Sequence, residues 1–150
     1  MSSPEQTIHA SAILIGERAV LIRGESGTGK SQLTTALLNA AREGLLPYAR
    51  LIADDRVKIF VANGRLLSAA PEAIQGMMEV RGLGIRHADY EPIAVVGLVI
   101  DLAASDGARM PDEKTEKAEI LGIKITRLPV AAGQDPFPVV LAALTTKTKV

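Results

Sequence analysis

Residues 24–31 read Gly24-Glu25-Ser26-Gly27-Thr28-Gly29-Lys30-Ser31, and their flanks leave this part of the chain little choice of local fold. Upstream, Ala19-Val20-Leu21-Ile22-Arg23 is an apolar run of strand length. Downstream, residues 31–42 put Leu33, Thr34, Leu37, Leu38 and Ala41 on one face at helical spacing, and Gly44 follows as a stop. Strand, glycine loop and helix in that order is the context in which G-x-x-x-x-G-K-[ST] cradles phosphate groups. The glycines let successive main-chain N–H groups converge on one concavity, an anion nest. Lys30 supplies a point charge for the β- and γ-phosphates and Ser31 a hydroxyl for Mg²⁺. The helix aims the positive end of its dipole at the same place. The alternative, a glycine turn that merely joins strand to helix, is disfavoured by the flanks.

Composition narrows the rest. A chain of 150 residues, 47% of them hydrophobic, suits one domain with a sizeable core. Seventeen basic and 17 acidic residues leave no basic excess for nucleic acid and no acidic excess for a solvating tail. The absence of cysteine excludes disulfides and thiolate chemistry. The two histidines lie far apart and form no zinc-ligand pattern. Aromatics, at 3%, are too sparse for base-stacking platforms. No segment reaches the length of a membrane span, and residues 1–6 lack the basic and apolar stretches of a signal peptide. A cytoplasmic protein with neither membrane nor nucleic-acid partner is expected.

Along the chain, strands are expected at 9–15, 19–23 and 48–53, the last ending at Asp54-Asp55. Residues 57–62 and 65–69 flank Asn63-Gly64, which predicts a hairpin with a type I′ turn. A short helix is expected over 71–78 and a loop over 79–84. The β-branched run 93–102 reads as a buried strand, 112–119 as a charged surface helix and 123–128 as a strand. A last helix over 135–144 would have Asp135 as N-cap and Pro136 at its first position.

Leu51-Ile52-Ala53-Asp54-Asp55 is apolar and then doubly acidic, a Walker-B-like strand end. Successive strand residues face opposite ways, so one acid would serve the metal or its water shell and the other the nucleophile, unless the strand has already ended. A plain acidic turn is the alternative. In Glu79-Val80-Arg81-Gly82-Leu83-Gly84, Glu79 has the chemistry to hold Mg²⁺ and Arg81 to neutralise phosphate; a Glu–Arg surface pair is the alternative. His9 on its strand and Arg109 in the polar run 105–110 each fit a structural or a functional role. Met77-Met78 reads as core.

The order of these segments resembles the C-terminal catalytic domain of the bacterial HPr kinase/phosphorylase family. That family has a histidine opening a strand, a loop of the form G-x-S-G-x-G-K-S, then V-A-D-D, then E-[IV]-R-G-L-G-I. This chain has His9, then residues 24–31, then Ile52-Ala53-Asp54-Asp55, then Glu79-Val80-Arg81-Gly82-Leu83-Gly84-Ile85. The resemblance implies an α/β fold, a P-loop kinase-like core of mixed β-sheet with flanking helices and a PEP-carboxykinase-like nucleotide site. It implies one catalytic domain over 1–150, without the N-terminal domain of longer members. It further implies phosphorylation of a serine on HPr by ATP, with phosphorolysis by inorganic phosphate as the reverse activity. Gly24, Glu25, Ser26, Gly27, Thr28, Gly29, Lys30 and Ser31 would bind ATP, and Ser31 and Glu79 would ligate Mg²⁺. His9, Lys30, Asp54, Arg81 and Arg109 would belong to the catalytic set. Asp55 would take the serine proton and return one in reverse. A homohexamer is implied as well. The common form has arginines within 129–134, where this chain has Val130-Ala131-Ala132-Gly133-Gln134. A small-molecule P-loop kinase and a non-catalytic nucleotide-sensing module are the other functions considered; no arginine-rich lid supports the former.

Overall fold

The structure, a computed structural model, describes residues 5–107 and 116–146. Its strands are β1 (Gln6–Ile15), β2 (Arg18–Arg23), β3 (Ala49–Ala53), β4 (Arg56–Ala62), β5 (Arg65–Ala69), β6 (Met77–Val80), β7 (Gly84–His87), β8 (Ala94–Asp101), β9 (Lys117–Ile120) and β10 (Ile123–Pro129). Two α-helices, α1 (Lys30–Arg42) and α2 (Pro136–Thr145), complete a mixed α/β fold.

The main sheet runs β2-β1-β4-β5-β8-β10-β9, and a further parallel pairing of β2 with β8 closes its first five strands into a ring. The ring closes because two strands change partners along their length. β1 pairs with β4 over its first half and with β2 and β3 over its second. β8 pairs with β5 at Ala94 and Val95 and then with β2 up to Asp101.

Alternation along β1 and β2 explains the layering. Ala10, Ala12, Leu14, Ala19 and Leu21 point into a core made by strands alone, with Ile52, Val57, Ile59, Leu66 and Val99. Ile13, Ile15, Val20 and Ile22 point the other way, onto Leu33, Leu37 and Ala40 of α1 and Val140 of α2. Strands covered on both faces read as continuous apolar runs, which is how 12–15 and 19–22 read. The first helix closes in a Schellman motif, with Leu45 N–H on the Ala40 carbonyl and Gly44 N–H on that of Ala41. Gly44 takes the left-handed φ of 80° that this stop requires.

The hairpin at Asn63-Gly64 forms as expected, with φ of 52° and 71° at the two turn residues. Asp135 caps α2 by accepting the Phe137 N–H at 3.1 Å, with Pro136 at the first position. Three expectations fail. The helix over 71–78 is only a 3₁₀ turn, Glu72–Ile74, after which Met77 and Met78 belong to β6. Gly76, at φ 73° and packed against Tyr90, ends it. The loop over 79–84 is a hairpin, β6–β7, in its own two-stranded sheet. Of the charged helix expected over 112–119, residues 112–115 lie outside the described residues, and its last three belong instead to strand β9 at Lys117–Ile120, where alternation buries Ala118 and Ile120. Pairing with β10 thus overrides helix propensity there.

Leu37 is fully buried between α1 and the sheet, whereas Leu45, just past the helix, is 51% exposed. Leu37→Ala is expected to cost about 2–5 kcal/mol in urea unfolding and Leu45→Ala less than about 0.5 kcal/mol.

Candidate functional site

The loop between β2 and α1 turns at Glu25–Thr28, where the Thr28 N–H meets the Glu25 carbonyl at 3.2 Å. Gly29 caps α1 at φ 98°, a conformation open to glycine and costly for other residues. From Ser26 to Ser31, Thr28 is the one residue whose main-chain N–H donates within the described chain. The remaining amides are therefore free to meet an anion at the helix N-terminus. Lys30 is buried, and its ammonium donates to the carbonyls of Gly24 (2.7 Å) and Glu25 (3.1 Å), which holds a positive charge across the mouth of the loop.

Behind the loop stands Asp54, buried at 7% exposure. Its Oδ1 accepts the hydroxyls of Ser31 (2.7 Å) and Ser11 (3.0 Å), and its Oδ2 accepts the Glu79 N–H (3.1 Å). One carboxylate thus joins α1, β1, the β3–β4 junction and β6. Ser31 and Asp54 meet because β2 and β3 flank β1 on opposite edges, both antiparallel to it, so the carboxyl end of β2, which opens into the loop, and that of β3 lie at the same end of β1.

Asp55 is placed quite differently. β3 and β4 are consecutive partners of β1, and Asp54 and Asp55 form the break between them. The Arg56 N–H bonds to the Asp54 carbonyl at 2.8 Å around Asp55, whose φ is 69°. This is a γ-turn of the rare strained kind, and such strain gathers at functional sites. The Asp55 side chain is exposed and accepts no hydrogen bond among the described residues. The strand has ended at the two acids, so strict alternation does not govern them, and one is buried while the other is exposed.

His9 is exposed on β1 opposite Arg56, and the next residue, Ala10, donates its N–H to the Asp55 carbonyl at 3.2 Å. His9 and Asp55 are therefore neighbours across one ladder. Glu79 is exposed on β6 with its main chain tied to Asp54, while Arg81 is exposed in the turn of the β6–β7 hairpin. Arg109 lies outside the described residues.

The fit of this site to Mg²⁺ can be judged from its donor set. Among the described residues, no three His, Asp or Glu side chains converge as a metal cage. Mg²⁺ beside phosphates needs none: one or two protein oxygens, with phosphate and water oxygens, complete its octahedron. The Ser31 hydroxyl, with Asp54 behind it and Glu79 alongside, suits that mode.

A charge network that the sequence did not single out lies on the other side of the loop. β2, β8 and β10 are parallel, and their carboxyl ends carry Arg23, Asp101 and Arg127. Arg23 and Asp101 are register partners and form a two-pronged pair at 2.7 and 2.8 Å. Arg127 bonds to Asp101 and grips Asp106 at 2.7 and 2.9 Å. Arg23, Asp101, Asp106 and Arg127 line a cleft of about 430 Å³ with Gly24 and Thr28. Clefts at the carboxyl ends of parallel strands are common ligand sites. Burial pushes the Asp101 carboxyl up, but its bonds to Arg23 and Arg127 outweigh that and hold it below 3.8. Charged residues ending apolar strands were the available signal. For Ser11 it was a lone hydroxyl in an apolar strand.

Asp54→Asn puts an NH₂ group where three donors converge and is expected to cost about 1–3 kcal/mol in urea unfolding. Asp55→Asn is expected to stay within about 0.5 kcal/mol, because asparagine tolerates a left-handed φ. For Asp101, the native pKa lies below the unfolded one. Its stabilising share is therefore present above pH 3.8 and disappears as pH falls through the lower native value. The stability gap between the parent chain and Asp101→Asn, followed by urea unfolding at several pH values, is expected to shrink below pH 3.8.

Comparison with known proteins gives a consistent picture. A family model described as the HPr Serine kinase C-terminal domain matches residues 1–149. The HPr kinase/phosphorylase of Geobacillus thermodenitrificans is 33% identical over 146 residues, covering 89% of this chain and 45% of that protein. That of Clostridium tetani is 29% identical over 154 residues, covering 94% and 48%. The chain thus spans about half the length of the curated relatives it matches. The solved structure of the Hpr(Ser) kinase/phosphatase from Coxiella burnetii aligns with a TM-score of 0.72 at 26% identity, covering 93% of each chain. This chain's glycine loop, paired acids and hairpin lie within a family match that runs nearly end to end, and the chain belongs to the family of HPr serine kinase C-terminal domains.

Proposed function

We propose that this domain phosphorylates a serine of the phosphocarrier protein HPr with ATP and, with inorganic phosphate, runs the reverse phosphorolysis. The observation that carries this reading is the split of the two acids. Asp54 is buried against the Ser31 hydroxyl, and Asp55 is turned out of the ladder with its carboxylate free.

In the forward direction the amides left free within residues 24–31, together with Lys30, hold the triphosphate of ATP, in a PEP-carboxykinase-like site. Ser31 and Glu79 would hold Mg²⁺, with Asp54 orienting Ser31. Magnesium, when bound, neutralises phosphate charge and orients the phosphates. The HPr serine oxygen bonds to the γ-phosphorus as the bond to the β-phosphate oxygen breaks, ADP leaves, and the serine proton passes to Asp55. His9, beside Asp55, and Arg81 add positive or hydrogen-bonding character around the transferring group, as does Arg109 in the resemblance to the family. In reverse, an inorganic phosphate oxygen bonds to the phosphoserine phosphorus as its bond to the serine oxygen breaks, pyrophosphate leaves, and Asp55 returns the proton to the serine oxygen. A homohexamer acting in the cytoplasm completes the proposal; among the described residues, no helix is long and apolar enough to cross a membrane.

Incubation with γ-labelled ATP, with and without HPr, tests this function. Label on HPr serine is expected. Turnover with small metabolites alone, or nucleotide binding without transfer, would contradict it. Asp55→Asn is expected to keep ATP affinity by calorimetry and to lose at least about 100-fold in transfer rate. Full transfer by that variant removes Asp55 from the mechanism.

A further inference from the structure

Residues 10–15 of β1 are apolar except at Ser11, and Ser11 is buried at 0% exposure. A hydroxyl in such a place needs partners. Ser11 finds them in the two consecutive acids. Its Oγ donates to Asp54 Oδ1 at 3.0 Å and accepts the Asp55 N–H at 3.1 Å. Donor and acceptor are thus used on the two sides of the γ-turn.

That turn needs an external hold. Asp55 sits at φ 69° without being glycine, and one main-chain bond, Arg56 N–H to the Asp54 carbonyl, spans it. Ala10 N–H grips the Asp55 carbonyl from one side and the Ser11 hydroxyl grips its amide from the other. The Asp55 peptide is therefore clamped at both ends by consecutive residues of β1. A rigid strand suits this task, since strained conformations persist only where their surroundings over-determine them. Ser11 also shares Asp54 Oδ1 with Ser31. If the Ser31 hydroxyl turns to a metal, Ser11 and the Glu79 N–H still hold Asp54.

We propose that Ser11 is a positioning residue for phosphoryl transfer: a buried hydroxyl clamp that fixes the Asp54–Asp55 turn and so aims the Asp55 carboxylate at the acceptor serine. Ser11 touches neither nucleotide nor phosphate in this role and acts through Asp55. The proposal rests on the proton-accepting role of Asp55 given above.

The test compares Ser11→Ala, Ser11→Cys and Ser11→Thr in the intact chain. Threonine keeps the hydroxyl and suits a strand; cysteine keeps the size with a weak donor and acceptor. Ser11→Ala is expected to lower kcat for HPr phosphorylation about 100-fold, the scale of a misplacement near 1 Å. The KM for HPr and the Kd for Mg–ATP are expected to stay within about threefold, and Ser11→Thr to restore most of kcat. Should the alanine variant fail to fold, Ser11→Cys carries the same comparison. In the ligand-free chain, hydrogen exchange at the Asp55 amide, followed by NMR, is expected to quicken about tenfold or more in Ser11→Ala or Ser11→Cys. This readout needs no activity. A parent chain that fails to phosphorylate HPr overturns the functional reading, while the amide still decides the clamp. Unchanged exchange overturns the clamp. Unchanged kcat, or kcat and ATP affinity collapsing together, overturns the positioning role.

Discussion

The Asp54 carboxylate is the contact on which the arrangement of the site depends. It takes hydrogen bonds from Ser11 on β1, Ser31 in the first turn of α1 and the main chain of Glu79 on β6. These elements come from stretches of sequence far apart, and no other carboxylate among the described residues ties so many of them. Burial makes the contact demanding. An acceptor withdrawn from water must find its donors inside the protein, and each donor that it binds is thereby fixed in place. The position of the glycine loop relative to the paired acids is thus set by satisfying one buried charge.

The layering makes such a site possible. β1 and β2 are covered on one face by a strand-only core and on the other by α1 and α2. A loop leaving β2 for α1 therefore starts and ends on rigid elements. The same is true of Asp54 and Asp55, which interrupt two strands that are otherwise one continuous partner of β1. The interruption frees two side chains at the centre of a ladder without opening the sheet. On the far side of the loop, the ends of β2, β8 and β10 are bound together by Arg23, Asp101, Arg127 and Asp106. Like charges at neighbouring strand ends would repel, and alternation of sign lets three parallel strands finish side by side.

Much of the fold was legible because it follows from short-range rules. Residues 19–42 announce strand, loop and helix; Asn63-Gly64 announces its hairpin; and Asp135-Pro136 announces the start of α2. The failures share a cause. Residues 77–80, 84–87 and 117–120 became strands by pairing with their neighbours in hairpins that turn at 81–83 and 121–122, and propensity read along a single segment contains no record of a partner. Ser11 was overlooked for the same reason, since its importance lies in acids more than forty residues away.

The amino-acid sequence by itself determined the glycine loop between strand and helix, the apolar faces around it and the presence of two adjacent acids, since glycine placement, periodicity and charge are local properties. Only the tertiary structure decided which acid is buried and which is free. Both are aspartates, and in a regular strand they would have faced opposite sides of the sheet. The γ-turn, the Ser11 hydroxyl and the reach of Ser31 made Asp54 the anchor and left Asp55 in solvent. That assignment depends on distances between segments, and such distances exist only once the chain has folded.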